Sequence, residues 1–271
     1  MKFYCAATTF SFFALLSVIG LTGCAGSPGV SGSSAAKSDL VTESDEPEGR
    51  RRARLRLELA SGYFEQGQIN VALDEVKQAL VVDPNYVDAY NLRGLVYMRL
   101  NDSVLAEESF KRALAINPRD AGVAHNYGWF LCQQARYPES SRMFEQAIGN
   151  PAYVSPAKSL MTQGLCQVRA GQRSQAEQSL IRSYELDAGN PVTGYNLSSL
   201  LFERGELVRS QFYIRRLNNS ELANAETLWL GIKIEQRLNN AEAVQQLGSQ
   251  LQRRYAQSKE AAAFEKRAFN E

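Results

Sequence analysis

Residues 72–84 read ALDEVKQALVVDP, and residues 106–118 read AEESFKRALAINP. The two stretches sit 34 positions apart and place small and large residues in the same columns. Ala72, Ala106 and Ser140 form one column, Val76, Phe110 and Phe144 a second, and Ala79, Ala113 and Ala147 a third. Pro84 and Pro118 follow at the same offset, in Val82-Asp83-Pro84-Asn85 and Ile116-Asn117-Pro118-Arg119. Upstream, Tyr63 and Tyr97 occupy equivalent points, with Ala60, Gly94 and Gly128 three residues before that column. Apolar residues recur at three and four, and no alternating run suggests a strand.

A fixed period of 34 with this grammar is that of the tetratricopeptide repeat (TPR), a pair of antiparallel helices. The small columns let the two helices approach, the large ones fill what is left, and proline stops the second helix. The period slips at Gly149-Asn150-Pro151-Ala152-Tyr153-Val154-Ser155-Pro156, which has two prolines and about two extra residues by comparison with the repeat length. It resumes at Gly164, Gly171, Ala176 and Leu180, continues through Leu197, Ser198, Leu201, Gly205, Ser210 and Ile214, and ends with Gly231, Ile234, Ala243 and Leu247. The expectation is an all-α TPR superhelix of six helix pairs, over 53–86, 87–120, 121–156, 157–190, 191–223 and 224–257. An amphipathic capping helix follows over 258–269, since a solenoid needs a polar-backed end.

Upstream of the repeats, Lys2 and the apolar run Phe10 to Leu21 have the grammar of a secretory signal peptide. Thr8, Thr9, Ser11 and Ser17 dilute the run below what a spanning helix needs; an uncleaved anchor is the alternative. The run ends in Leu21-Thr22-Gly23-Cys24, which resembles the bacterial lipobox. That resemblance implies cleavage after residue 23 and lipidation of Cys24, and two or more acyl chains anchor a protein stably without a transmembrane helix. Ala25, where an aspartate would retain a lipoprotein at the inner membrane, implies by analogy the periplasmic face of the outer membrane. The domains expected are a signal peptide over 1–23, a lipidated Cys24 with a disordered tether over 24–52, and a solenoid over 53–271. The tether is poor in apolar residues and has a typical reach of about 25–30 Å.

The middle of the chain carries more than the repeat. Asn126-Tyr127-Gly128-Trp129-Phe130-Leu131-Cys132, then Phe144, Asn150-Pro151-Ala152-Tyr153 and Gly164-Leu165-Cys166, resemble the type IV pilus biogenesis and stability lipoproteins, the PilF/PilW family. The resemblance runs over about residues 53–220 and includes the order of lipobox, tether and six repeats. It implies a pilotin, which binds the subunit of the type IV pilus secretin and promotes its outer-membrane localisation and multimerisation. In Gln134-Ala135-Arg136-Tyr137, Ala135 stands where a turn glycine is usual. A TPR scaffold for another envelope assembly, such as outer-membrane protein insertion, is the alternative.

Composition adds limits. The net charge is +1 with 22% charged residues, so nothing global points to nucleic acid. A mean hydropathy of −0.32 excludes a polytopic membrane protein. The chain has one histidine, His125, and no Cys/His cluster spaced for zinc. No enzyme, cofactor, metal or small-molecule substrate is expected, and a role in cell-wall turnover lacks a catalytic set. Of the four cysteines, Cys5 lies in the signal peptide and Cys24 carries lipid. Cys132 and Cys166 fall near the ends of neighbouring first helices in a compartment that permits a disulfide. A bridge across the 149–156 slip and two separate buried thiols are both open.

The first helix of each TPR lines the concave face. Its inward positions are Leu57 and Phe64, then Asn91, Leu95 and Met98, then His125, Trp129 and Cys132, then Lys158, Met161, Leu165 and Val168, then Tyr195 and Phe202. The expected groove is apolar and aromatic, without a Lys/Asn/Arg clamp for a C-terminal carboxylate. Such side chains suit the apolar face of a protein segment. The run Arg50-Arg51-Arg52, Arg54 and Arg56 is either a solvated helix start or a contact with lipid or partner.

Overall fold

The computed structural model describes residues 46–269, which form thirteen α-helices and no strand. They are α1 (Glu48–Glu65), α2 (Ile69–Val82), α3 (Val87–Arg99), α4 (Ser103–Ile116), α5 (Ala121–Gln133), α6 (Tyr137–Ile148), α7 (Pro156–Arg169), α8 (Arg173–Leu186), α9 (Pro191–Glu203), α10 (Leu207–Asn218), α11 (Ala225–Arg237), α12 (Ala241–Arg254) and α13 (Lys259–Glu265). Each odd helix from α1 to α11 packs on the even helix after it, giving six helix pairs in a TPR superhelix. The signal peptide, Cys24 and the tether up to residue 45 lie outside the described residues. Of the expected tether, residues 48–52 are instead the first turns of α1.

The small and large columns meet across each pair. A Cβ added at Gly94 on α3 would lie 2.6 Å from the ring of Phe110 on α4, and one at Gly164 on α7 would lie 2.7 Å from Leu180 on α8. Phe110 and Leu180 are fully buried, so neither can swing aside. The same sixteen-residue offset sets Gly128 against Phe144 on α5 and α6, with the ring 3.2 Å from a Cβ there. Truncating Phe110 to alanine would leave a cavity costing about 3–5 kcal/mol. Where serine replaces the small residues, in α9 and α10, the Ser198 and Ser210 hydroxyls bond each other at 2.9 Å and the facing carbonyls.

Turns within the pairs repeat one device. Gly67, Asn101, Ala135, Gly171, Gly205 and Asn239 all have positive φ, between 57° and 77°, at corresponding points. Glycine and asparagine adopt this left-handed region readily, whereas at Ala135 it is strained. Links between pairs use another. Asp83, Asn117, Asn150 and Asp187 accept a hydrogen bond from the backbone N–H two residues on, which turns the chain after the even helix. Side-chain caps then start the next odd helix, as at Asp120, Asn190 and Asn224.

The N-terminal arginines are largely engaged within the fold. Arg50 pairs with Asp83 and lies 4.5 Å from the Tyr86 ring centre. Arg54 meets Glu46 and Glu58, and Arg56 meets Glu75 on α2. These bonds extend α1 back to Glu48. At the other end the capping helix is shorter than 258–269. Arg267, at φ 54°, turns the chain after α13. Phe269 then stacks on Trp229 of α11, with ring centres 5.7 Å apart.

Candidate partner-binding groove

Consecutive odd helices touch one another along the whole array, from α1·α3 to α9·α11. No even helix touches the next even helix. The odd helices therefore lie at the smaller radius and form the concave wall. Ten of the fourteen groove positions read from the sequence are half-buried: Leu57, Phe64, Asn91, Leu95, Met98, Trp129, Met161, Leu165, Tyr195 and Phe202; Lys158 is exposed. Val168 is 40% exposed. Several serve two surfaces at once. Leu57 and Phe64 pack on the core of the first pair, Leu95 and Met98 on that around Phe110, and Tyr195 and Phe202 on that around Ile214. Asn91 is tied to the next repeat by Asn126, whose Nδ2 donates to its Oδ1 at 3.0 Å.

His125 is not a groove residue. It is 7% exposed, its Nδ1 lies 2.8 Å from Ser159 Oγ on α7, and its ring meets Phe144 edge-on. Burial, with the nearby Lys158 charge, pushes its pKa down to about 4, so the imidazole is neutral. The single step that misplaced it is the helix register: at position 125 the side chain points between repeats three and four. Cys132 is likewise buried, bonded to Cys166 with Cα atoms 5.9 Å apart. This disulfide joins α5 to α7 directly beside Trp129.

The groove is also less apolar than expected. Arg99 lies over Phe64 at 5.6 Å, Arg169 over Trp129 at 5.0 Å and Arg237 over Phe202 at 4.8 Å. These distances are in the range of cation–π attraction. Sequence reading missed all three arginines because each ring and its cation belong to different repeats. The signal was present: Arg99, Arg169 and Arg237 are each the last residue of their helix. Trp229 and Lys233 on α11 were missed as well. With Tyr195, Phe202 and Glu260 they line a cavity of about 480 Å³ where α9, α11 and α13 meet. Lys233 Nζ sits 5.8 Å from the Phe202 ring and 5.7 Å from that of Trp229, and burial lowers its pKa. Among the described residues no group of three His, Cys, Asp or Glu side chains could hold a metal ion, and no helix is long and apolar enough to cross a membrane.

A concave wall of aromatic and basic side chains is a surface for protein segments, and the relatives carry the same architecture. The TPR repeat model matches residues 61–101, and the tetratricopeptide repeat model residues 87–120. The type IV pilus assembly protein PilF of Pseudomonas aeruginosa is 28% identical over 92% of this chain and 95% of its own length. The solved structure of Pseudomonas aeruginosa PilF superposes with a TM-score of 0.71, covering 81% of this chain and all of that one at 28% identity. The crystal structure of PilW, described as a widely conserved type IV pilus biogenesis factor, has a TM-score of 0.69 at 31% identity, covering 78% of this chain and 97% of PilW. With the helix pairs, their period and nearly the full length of PilW matched together, the chain belongs to the PilF/PilW family of TPR type IV pilus biogenesis proteins.

Proposed function

We propose that this protein acts in type IV pilus biogenesis as a lipid-anchored pilotin of the outer membrane, with Cys24 as its lipid site and the secretin subunit as its client. The observation that carries the pilus role is the match along almost the entire length of PilF and PilW. The groove supports the manner of action. Half-buried aromatic side chains already fixed by the core present area to a partner at little cost in side-chain freedom, and aromatic residues dominate the binding energy of many interfaces. The lipid holds the protein at the membrane, and the odd-helix wall grips a segment of the client. Association of a TPR scaffold with its partner needs no covalent chemistry.

Deleting the gene tests the reading. The expected result is loss of surface pili and of secretin oligomers in outer-membrane extracts, with secretin monomers remaining. Normal oligomers and normal twitching in the deletion strain overturn it. Cys24→Ser tests the anchor separately. It should release the protein from the membrane fraction and misplace the secretin; unchanged fractionation removes the lipid from the mechanism.

A further inference from the structure

The last residues of the six odd helices in the helix pairs are Glu65, Arg99, Gln133, Arg169, Glu203 and Arg237. Every second one is arginine. Each of the three arginines reaches back over an aromatic ring of the preceding odd helix, Phe64, Trp129 or Phe202. All three are exposed, while their rings are half-buried. Among the described residues none of the three has a carboxylate within salt-bridge distance; the ring contact is the interaction each makes. Of the two acids at this level, Glu65 and Glu203, the second is held by Arg173 at 3.0 Å.

A cation at a helix C-terminus is favourable on its own, because it faces the negative end of the helix dipole. That accounts for an arginine at one helix end. It does not account for a ring beneath each guanidinium, or for charges left unpaired along one wall. Seating a guanidinium over a ring fixes its position and leaves its N–H donors, which lie in its own plane, for a planar acceptor. Three positioned forks along a concave wall have the chemistry to bind carboxylates in pairs of parallel hydrogen bonds.

We infer that Arg99, Arg169 and Arg237 form a ring-backed ladder that reads acidic side chains of an extended client segment. The inference deepens the groove reading above and rests on it, without depending on the client being a secretin. The ladder also sets a spacing. Packed helices lie about 8–10 Å apart, so two repeats separate successive arginines by about 20 Å. An extended chain covers that distance in about six residues. The client segment therefore carries acidic residues about six apart, with apolar side chains between them for Met98, Leu165 and Val168. A bilayer is a poorer fit, because a recessed concave wall does not meet a flat surface.

The test uses the full chain in detergent and a fluorescent synthetic peptide of Ser, Leu and Val with three aspartates about six residues apart, beside its asparagine counterpart. The wild type should bind the aspartate peptide about tenfold or more tightly than the asparagine peptide. Combined Arg99→Gln, Arg169→Gln and Arg237→Gln should abolish that preference, lower the salt dependence of binding, and leave thermal unfolding close to wild type. The corresponding lysine variants keep the helix-end charge and should recover only part of the preference. Absence of binding, or equal affinity for the two peptides, overturns the inference. So does a glutamine variant that loses affinity for phosphatidylglycerol vesicles while its peptide preference is unchanged. Secretin oligomers lost on deletion with no peptide preference would leave the pilotin reading standing and remove the ladder alone.

Discussion

The junction between the first two repeats and the junction between the third and fourth are built from different materials. The first uses the short link 83–86. Its Asp83 turn and Pro84 repeat the period, and across the interface the buried Tyr86 and Ala89 pack on Ala53 and Ala79, with Arg50 over the Tyr86 ring. The other uses the longer link 149–155. There the period fails, and covalent and polar groups take over: the Cys132–Cys166 bond, the His125–Ser159–Tyr153 hydrogen-bond chain, and Asn150 Nδ2 donating to the Arg119 carbonyl at 2.8 Å. Packing of the first kind responds to cavities. The second kind responds to reductant and acid as well, which sets this seam apart from the first junction.

Removing the disulfide is the largest way to break that contrast. Its sulfurs close a loop of 34 residues in sequence separation. Closing a loop of that size restricts the unfolded chain by about 4 kcal/mol. Cys132→Ala with Cys166→Ala should lower stability to urea by about that amount. Hydrogen exchange should speed up first in α5 to α7, while α1 to α3 keep their protection, because repeats contact only their neighbours. Uniform acceleration along the chain would show that the seam is not a local unit. Reductant should act on the wild type and leave the double variant unchanged.

Acid probes the same seam with a smaller effect. In the native state His125 stays neutral down to about pH 4. In the unfolded chain it takes its proton near pH 6.5. Between those values the unfolded chain binds more protons, so stability falls as pH falls. The loss from this one group is about 3 kcal/mol across the window. His125→Asn keeps a polar group near Ser159 and cannot charge. It should lower stability at pH 7.5 and flatten the pH dependence between pH 6.5 and 4. Equal slopes for the two proteins in urea titrations would remove His125 as the cause.

The helix pairs were legible because their packing is periodic. Gly94 and Phe110 must fit each other, and the same fit recurs at Gly128 with Phe144, so a fixed offset shows in the sequence. The seam was legible only as a slip with two prolines and two cysteines. Whether the cysteines joined depended on their distance in space, and His125 on a register that six near-equal helices do not fix to one residue. The groove was read one repeat at a time, which found the aromatic positions and passed over Arg99, Arg169 and Arg237. A ring and a cation in separate repeats carry no local pattern. The start of α1 was missed for a related reason: Arg50 continues the helix because Asp83 and Tyr86, a repeat-length away, hold it.

The smallest expected effect separates turn chemistry from junction chemistry. Ala135 and Gly171 occupy corresponding turns on either side of the seam, with φ of 57° and 74°. Left-handed backbone costs an alanine about 1–2 kcal/mol, and glycine gives back about 0.4–1 kcal/mol of that through its freer unfolded chain. Ala135→Gly should therefore raise stability by about 0.5–1 kcal/mol, and Gly171→Ala should lower it by a similar amount. Neither residue belongs to the buried cluster around the disulfide, so both shifts should persist in the cysteine double variant. If Ala135→Gly destabilises instead, the Ala135 methyl makes contacts worth more than the strain. If its effect vanishes once Cys132 and Cys166 are removed, the seam extends into the turn before α6, and the division between periodic and chemical junctions has to be drawn one helix earlier.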